Sequence, residues 1–214
     1  MKVTIICSDK QHPVYSYLEQ WCLENKKNHH INLYESIKQI QQGGDILFLI
    51  SCSEIVRSNI RDLFQYTLVL HASDLPEGRG WSPHIWDVVN GKNEITLSLL
   101  SAEDGVDTGA IWQKVKIPLD GTELYDEIND KLFHAELELM SWSLNSINSA
   151  KATPQIEANT EYYRKRTPAD SEIDANKSIA EQFNLLRVSD PNRFPAFTYI
   201  NGQKFKVALE KLND

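Results

Sequence analysis

Three near-continuous apolar runs, at residues 3–7, 46–50 and 68–70, are separated by segments with helical spacing. This alternation constrains the fold more than any other feature. Runs without a regular polar partner belong to strands covered on both faces. After the first run comes PVYSYLEQWCLENK, a predicted helix with Pro13 where a first turn tolerates it. Its predicted buried stripe is Tyr15, Leu18, Cys22 and Leu23. Residues 31–33 read as a short strand, 37–42 as a weak helix stopped by Gly43 and Gly44, and 55–64 as a further helix. The order predicts an α/β fold with a mostly parallel sheet and helices on both faces. In such sheets ligands gather beyond the carboxyl ends of the strands. His71 stands at such an end.

Further along, residues 83–89 read as a short helix and 111–117 as a strand. Residues 94–100 place Ile95, Leu97 and Leu99 opposite Thr96 and Ser98, which predicts a strand with one more polar face. Residues 120–149 give the longest helical pattern, carried by Leu124, Ile128, Leu132, Leu139 and Trp142, with Thr122 as its cap. Residues 153–174 read as an irregular surface crossing and 176–185 as a helix. In FTYINGQKFKV, Asn201-Gly202 predicts a type I′ hairpin. We therefore expect a catalytic domain over residues 1–150. Residues 151–214 are expected as an extension, with a helix and a β-hairpin packed on the core.

The formal net charge of -8 argues against a broad nucleic-acid surface. Three cysteines, Cys7, Cys22 and Cys52, form no CxxC unit, which speaks against a disulfide scaffold or a zinc site. Free thiols fit a reducing cytoplasm. MKVTIICSD turns polar too quickly for a secretory signal, and no apolar run reaches bilayer-spanning length. The expectation is a cytoplasmic protein without membrane or nucleic-acid partners.

Two loops carry the chemistry. LHASDLPEGRG (residues 70–80) presents His71, and SAEDGVDTGAI (residues 101–111) presents Glu103, Asp104 and Asp107 between Gly105 and Gly109. A carboxylate beside an imidazole fixes its tautomer and tunes its basicity. No GxSxG elbow is present, and Ser73 reads as a loop-forming hydroxyl. The competing reading is a capping histidine beside a solvated acidic loop. No metal-ligand set is apparent.

LVLHASDLPEGRGWSPHIW together with EDGVDTGAI resembles the catalytic signature of the formyltransferases that use 10-formyltetrahydrofolate. That group includes the enzymes acting on methionyl-tRNA, on glycinamide ribonucleotide and on sugar nucleotides. GGDILFLISCSEIV, TEYYRKRTPADSEID and LLRVSDPNRFPAFTYINGQKFKV extend the likeness, the last two toward the tRNA and sugar enzymes. The resemblance implies a Rossmann-like formyltransferase fold and direct attack of an amine on the formyl carbon through a tetrahedral intermediate. It implies His71 and Asp107 as the catalytic pair and no metal. The family's asparagine falls on Val69, which has no hydrogen to donate. Backbone amides at 73–75, or Ser82, Ser51 and Ser53, are candidate replacements.

The resemblance places N10-formyltetrahydrofolate, as co-substrate, near Ile50, Ser51, Cys52 and Leu97, with Glu103, Asp104, Gly105 and Val106 along its polar edge. It places the acceptor near Ser73, Asp74, Leu75, Pro76 and Gly78, and near Arg79, Gly80, Trp81, Ser82 and His84. Arg79, Lys114, Arg187 and Arg193 are candidates for a pyrophosphate, and Trp81, Trp86, Trp112 and Tyr199 for stacking. The implied acceptor is a nucleotide-linked amino sugar of polysaccharide biosynthesis. The chain is acidic and ends soon after its hairpin, so initiator tRNA is discounted. CSDKQHPVYSY lacks the glycines of a phosphate nest, which disfavours glycinamide ribonucleotide. A non-catalytic folate- or nucleotide-binding relative is the alternative that Val69 supports. Homodimers are common among the sugar enzymes, and the tail hairpin is one candidate surface.

Overall fold

The computed structural model describes residues 1–156 and 162–212. The first half contains β1 (Lys2–Ile6), α1 (Val14–Asn25), β2 (His30–Tyr34), β3 (Gly44–Leu49), α2 (Ser58–Arg61) and β4 (Phe64–His71). Next come β5 (Arg79–Gly80), α3 (Pro83–Val89), β6 (Glu94–Ser101), β7 (Ile111–Pro118) and α4 (Tyr125–Ser146). Further on are β8 (Tyr162–Tyr163), α5 (Phe183–Arg187), β9 (Ala196–Ile200) and β10 (Gln203–Val207).

Six strands form one sheet in the order β2-β1-β3-β4-β6-β7. The first four are mutually parallel, and β6 and β7 extend the sheet antiparallel. This is the predicted α/β class, a mostly parallel sheet with an added C-terminal hairpin. Alternate residues of β1 and β3 explain the apolar runs. Val3, Ile5, Ile46 and Phe48 face the main core with Leu18 and Trp21 of α1 and Leu132, Leu139 and Met140 of α4. Ile6, Leu47 and Leu49 face a second cluster with Val56 and Phe64. With both faces covered, no polar alternation survives.

Several local expectations are corrected. The buried stripe of α1 is Val14, Tyr15, Leu18 and Trp21, whereas Cys22 is half-buried and Leu23 is 54% exposed. Trp21 sets the phase: it packs inward, and its indole N–H donates to Ser141 Oγ at 2.9 Å. The helix expected at 37–42 is a single 3-10 turn, Ile37–Gln39, and Gly44 opens β3 rather than ending a helix. The helix expected at 55–64 shrinks to α2, because Phe64 is drawn into the second cluster as the first residue of β4. The polar face of β6 is not solvated: Thr96 and Ser98 are buried, and the Ser98 hydroxyl donates to Ser73 O at 2.7 Å. Thr122 does not cap α4. The Glu127 carboxylate accepts the Leu124 N–H at 2.8 Å, while the Thr122 hydroxyl donates to Asp120. Leu124 precedes the helix and Trp142 is only partly buried.

The helix expected at 176–185 begins later, as a 3-10 turn at Ala180–Gln182 followed by α5. Asp174 and Ser178 hold the preceding residues in turns instead, with Asp174 Oδ1 accepting the Asn176 N–H at 2.9 Å. The tail hairpin forms as predicted, with positive φ at Asn201 (50°) and Gly202 (79°). The crossing at 153–174 is tied down by backbone pairing, which includes a bridge from Glu172 to Phe197. Thr153 exchanges both backbone hydrogen bonds with Ile111 at 2.8 Å, and β8 pairs in parallel with β5. Residues 157–161 of that crossing lie outside the described residues.

Candidate active site

The carboxyl ends of β1, β3 and β4 deliver three loops to one edge of the sheet. A strand period of 2 puts Val69 and His71 of β4 on the same face, and Leu70 on the other. His71 and Asp107 meet there. Asp107 arrives on the β6–β7 loop with φ of 56°, and its Oδ1 lies 3.5 Å from His71 Nδ1. Each side chain is 9% exposed. The second carboxylate oxygen accepts the Gly80 N–H at 3.1 Å, and His71 Nε2 donates to Gly78 O at 3.0 Å. Both sides of the imidazole therefore face oxygen acceptors.

Two glycines permit this approach. At Gly109 a Cβ would stand 1.8 Å from Ser101 O, and at Gly80, with φ of 107°, it would stand 2.3 Å from Tyr163 O. Any side chain at either position would push the loops apart.

Two further imidazoles belong to the neighbourhood. His84, on the first turn of α3, has a buried Nδ1 with no hydrogen-bond partner among the described residues. Burial, then the proximity of His71 and His12, pushes it down to about 4. His12 is also pushed down to about 4, by burial and then by Arg193. Its Nδ1 accepts the Val14 N–H at 3.2 Å, and its Nε2 lies 3.4 Å from Ser51 Oγ. Sequence reasoning missed His12, which stands in a polar loop with no motif around it. It also missed Gln155. The Gln155 Nε2 donates to Asp107 O (2.9 Å) and Gly109 O (2.8 Å), and its Oε1 accepts from Arg79 at 2.8 Å.

Of the residues expected to hold folate, Ile50 and Leu97 have no exposed surface and act from the main core. Ser51 has φ of 46°, and the Cys52 thiol sits 3.7 Å from Ser8 Oγ. Glu103, Asp104, Gly105 and Val106 are exposed on the β6–β7 loop, where Asp104 pairs with Arg61 at 2.6 Å. The amides of Glu103, Asp104 and Val106 have no protein partner among the described residues.

On the acceptor side, Ser73 and Leu75 are buried within the loop, and the Leu75–Pro76 peptide is cis. Lys114 grips Asp74 at 2.5 Å. Trp81 is 43% exposed beneath Lys165, 4.8 Å from its ring. Trp86 stacks on Tyr163 under Arg164, whose guanidinium lies 4.9 Å away. Of the expected phosphate cations, Arg187 is corrected: it is buried, 3.5 Å from Glu123. Lys114, Arg79 and Arg193 are held by Asp74, Gln155 and Asp9. Trp112 packs edge-on against Tyr66, and Tyr199 lies on the hairpin.

Val69 is partly buried against the second cluster. Among its suggested substitutes, the Ser53 N–H already donates to Ser8 Oγ (3.0 Å) and the Ser73 N–H to His71 O (2.9 Å). Ser82, at the N-cap position of α3 with φ of 48°, makes no side-chain capping bond.

The model of the formyl transferase family matches residues 4–144. A methionyl-tRNA formyltransferase of Lachnospira eligens is 29% identical over 169 residues, covering 77% of this chain and 53% of the relative. The chain thus spans about half the length of the curated relatives it matches. A methionyl-tRNA formyltransferase structure from Clostridium thermocellum superposes with a TM-score of 0.82 at 19% identity, over 100% of this chain and 94% of that one. WlaRD, a sugar 3N-formyl transferase solved in the presence of dTDP and 5-N-formyl-THF, gives 0.72 at 18% identity, over 96% and 85%. These two likenesses carry the fold.

Proposed function

The chain belongs to the formyl transferase family, and from that membership we propose that it moves the formyl group of N10-formyltetrahydrofolate onto the amine of a nucleotide-linked amino sugar. The observation that carries this reading is the His71–Asp107 pair, nearly buried at the strand ends and braced from both sides. An attacking amine must be neutral and must lose a proton, and Asp107 is the base placed to take it. The Gly78 carbonyl takes the Nε2 hydrogen of His71 and so orients the ring, with Nδ1 turned toward Asp107. A hydrogen-bonding ring held in this way can offset charge growing on the formyl oxygen. The unpartnered amides of Glu103, Asp104 and Val106 suit the polar edge of a pterin, and exposed Val106 offers an apolar contact.

The amino-sugar reading of the acceptor draws on the Trp81–Lys165 and Trp86–Arg164 contacts, close in sequence to Gly80, which suit a base and a pyrophosphate. It also draws on the net charge of -8, which opposes a polyanion as large as tRNA. The names of the curated relatives favour a second reading, methionyl-tRNA as acceptor. The test is tetrahydrofolate release from N10-formyltetrahydrofolate with a panel of nucleotide-linked amino sugars, and with methionyl-tRNA in parallel. Turnover is expected with a sugar, and His71→Asn or Asp107→Asn should cut it by at least about 100-fold. Wild-type rates in those variants sink the mechanism. Turnover on methionyl-tRNA alone replaces the acceptor. Tight folate binding without turnover on any amine makes the chain a non-catalytic relative.

A further inference from the structure

We propose that Gln155 is a positioning residue for the His71–Asp107 pair. One side-chain amide joins three segments that are far apart in sequence. Its Nε2 donates to the carbonyls of Asp107 and Gly109, and its Oε1 accepts from Arg79. Those contacts fall on both loops that define the pair. Asp107 is the residue at φ of 56°, so the orientation of its own peptide aims its carboxylate. Arg79 lies between Gly78, whose carbonyl accepts from His71, and Gly80, whose N–H donates to Asp107. Gln155 is itself held in register by the Thr153–Ile111 bridge, two residues before it. The arrangement uses both of the amide's donors, on the acid's loop, and one of its two acceptor sites, on the histidine's loop. A carboxylate at 155 would keep the Arg79 contact and lose both donors. A thioether would fill the space and lose all three.

The proposal rests on the reading of His71 and Asp107 as the reacting pair, and its test separates the two. Gln155→Glu and Gln155→Met are compared with the wild type in steady-state turnover and in imidazole 15N NMR of His71. In both variants kcat should fall by about 10- to 100-fold, as expected for a loosened catalytic contact, while KM for either substrate changes by less than about 3-fold. The His71 Nδ1 resonance should shift in both. Should the Met variant fold poorly, the Glu variant, which keeps its bond to Arg79, still decides. Unchanged kcat with an unmoved His71 resonance in both variants overturns the proposal. So does a loss of kcat with no change in that resonance. A wild type that turns over no amine overturns the proposed function, and the resonance then still decides whether Gln155 holds the pair.

Discussion

Val69 stands two residues before His71 and on the same face of β4, where the resembled enzymes carry a hydrogen-bond donor. It is partly buried at the edge of the second cluster, so an apolar side chain stands beside His71 where a donor could stand. Loss of one oxyanion donor commonly costs about 100- to 1000-fold in rate. Val69→Asn should therefore raise kcat by about 10-fold or more, at a stability cost of about 1–2 kcal/mol for the polar group set against that cluster. Steady-state kinetics and urea denaturation measure the two effects, and an unchanged or lower kcat would show that the donor comes from elsewhere. At this scale the sequence was informative where a motif fixes the residue. His71 and Asp107 stand in recognisable loops, and the fold brings them to 3.5 Å. His12 and Gln155 stand in unremarkable ones. Only the folded loops reveal that a ring 59 positions before His71, or an amide 48 positions after Asp107, reaches the same place.

Among the elements that sequence reasoning located well are the fully covered strands β1 and β3, α3 with its proline in the first turn, and the hairpin with Asn201-Gly202 at its bend. It failed where tertiary packing overrides local pattern. Phe64 has helical spacing with Ile60 yet enters a strand, because the second cluster needs its ring. The β5–β8 pairing was invisible for a different reason. It joins two-residue strands and depends on a glycine that lets Tyr163 O come close. Gly80→Ala must both strain a φ of 107° and clear a 2.3 Å contact. It should destabilise the fold by about 2 kcal/mol or more. It should also release the Tyr162–Tyr163 strand, so that limited trypsin digestion cuts after Arg164 or Lys165 faster than in the wild type. Unchanged digestion would mean that the strand does not depend on this contact.

Across the whole molecule, one buried acid sets a pH dependence. Glu136 on α4 is 7% exposed, with a carboxyl oxygen that has no hydrogen-bond partner among the described residues. Burial pushes it up to about 8 from an ordinary 4.5. Below 4.5 it is neutral in both folded and unfolded chains. Between 4.5 and 8 only the unfolded chain ionises, and stability falls by up to about 1.4 kcal/mol per pH unit. His12 and His84 act in the opposite sense: both are lowered, so their contribution is present above 6.5 and is lost as pH falls toward 4. Glu136→Gln should thus gain stability over the wild type progressively from pH 5 to pH 8, while keeping the acid-side loss. Urea midpoints at pH 5, 6.5 and 8 measure this, and a constant difference between the two proteins would refute it.

The contact of Arg193 with Asp9, 2.6 Å long, joins residues 184 apart in sequence. A bridge closing so long a loop has almost no local help, and its chain entropy is recovered only after the intervening sheet has drawn both partners together. The contact ties the tail to the loop that follows the first strand. The surroundings of His12 include Arg193, so they are complete only where the tail is in place.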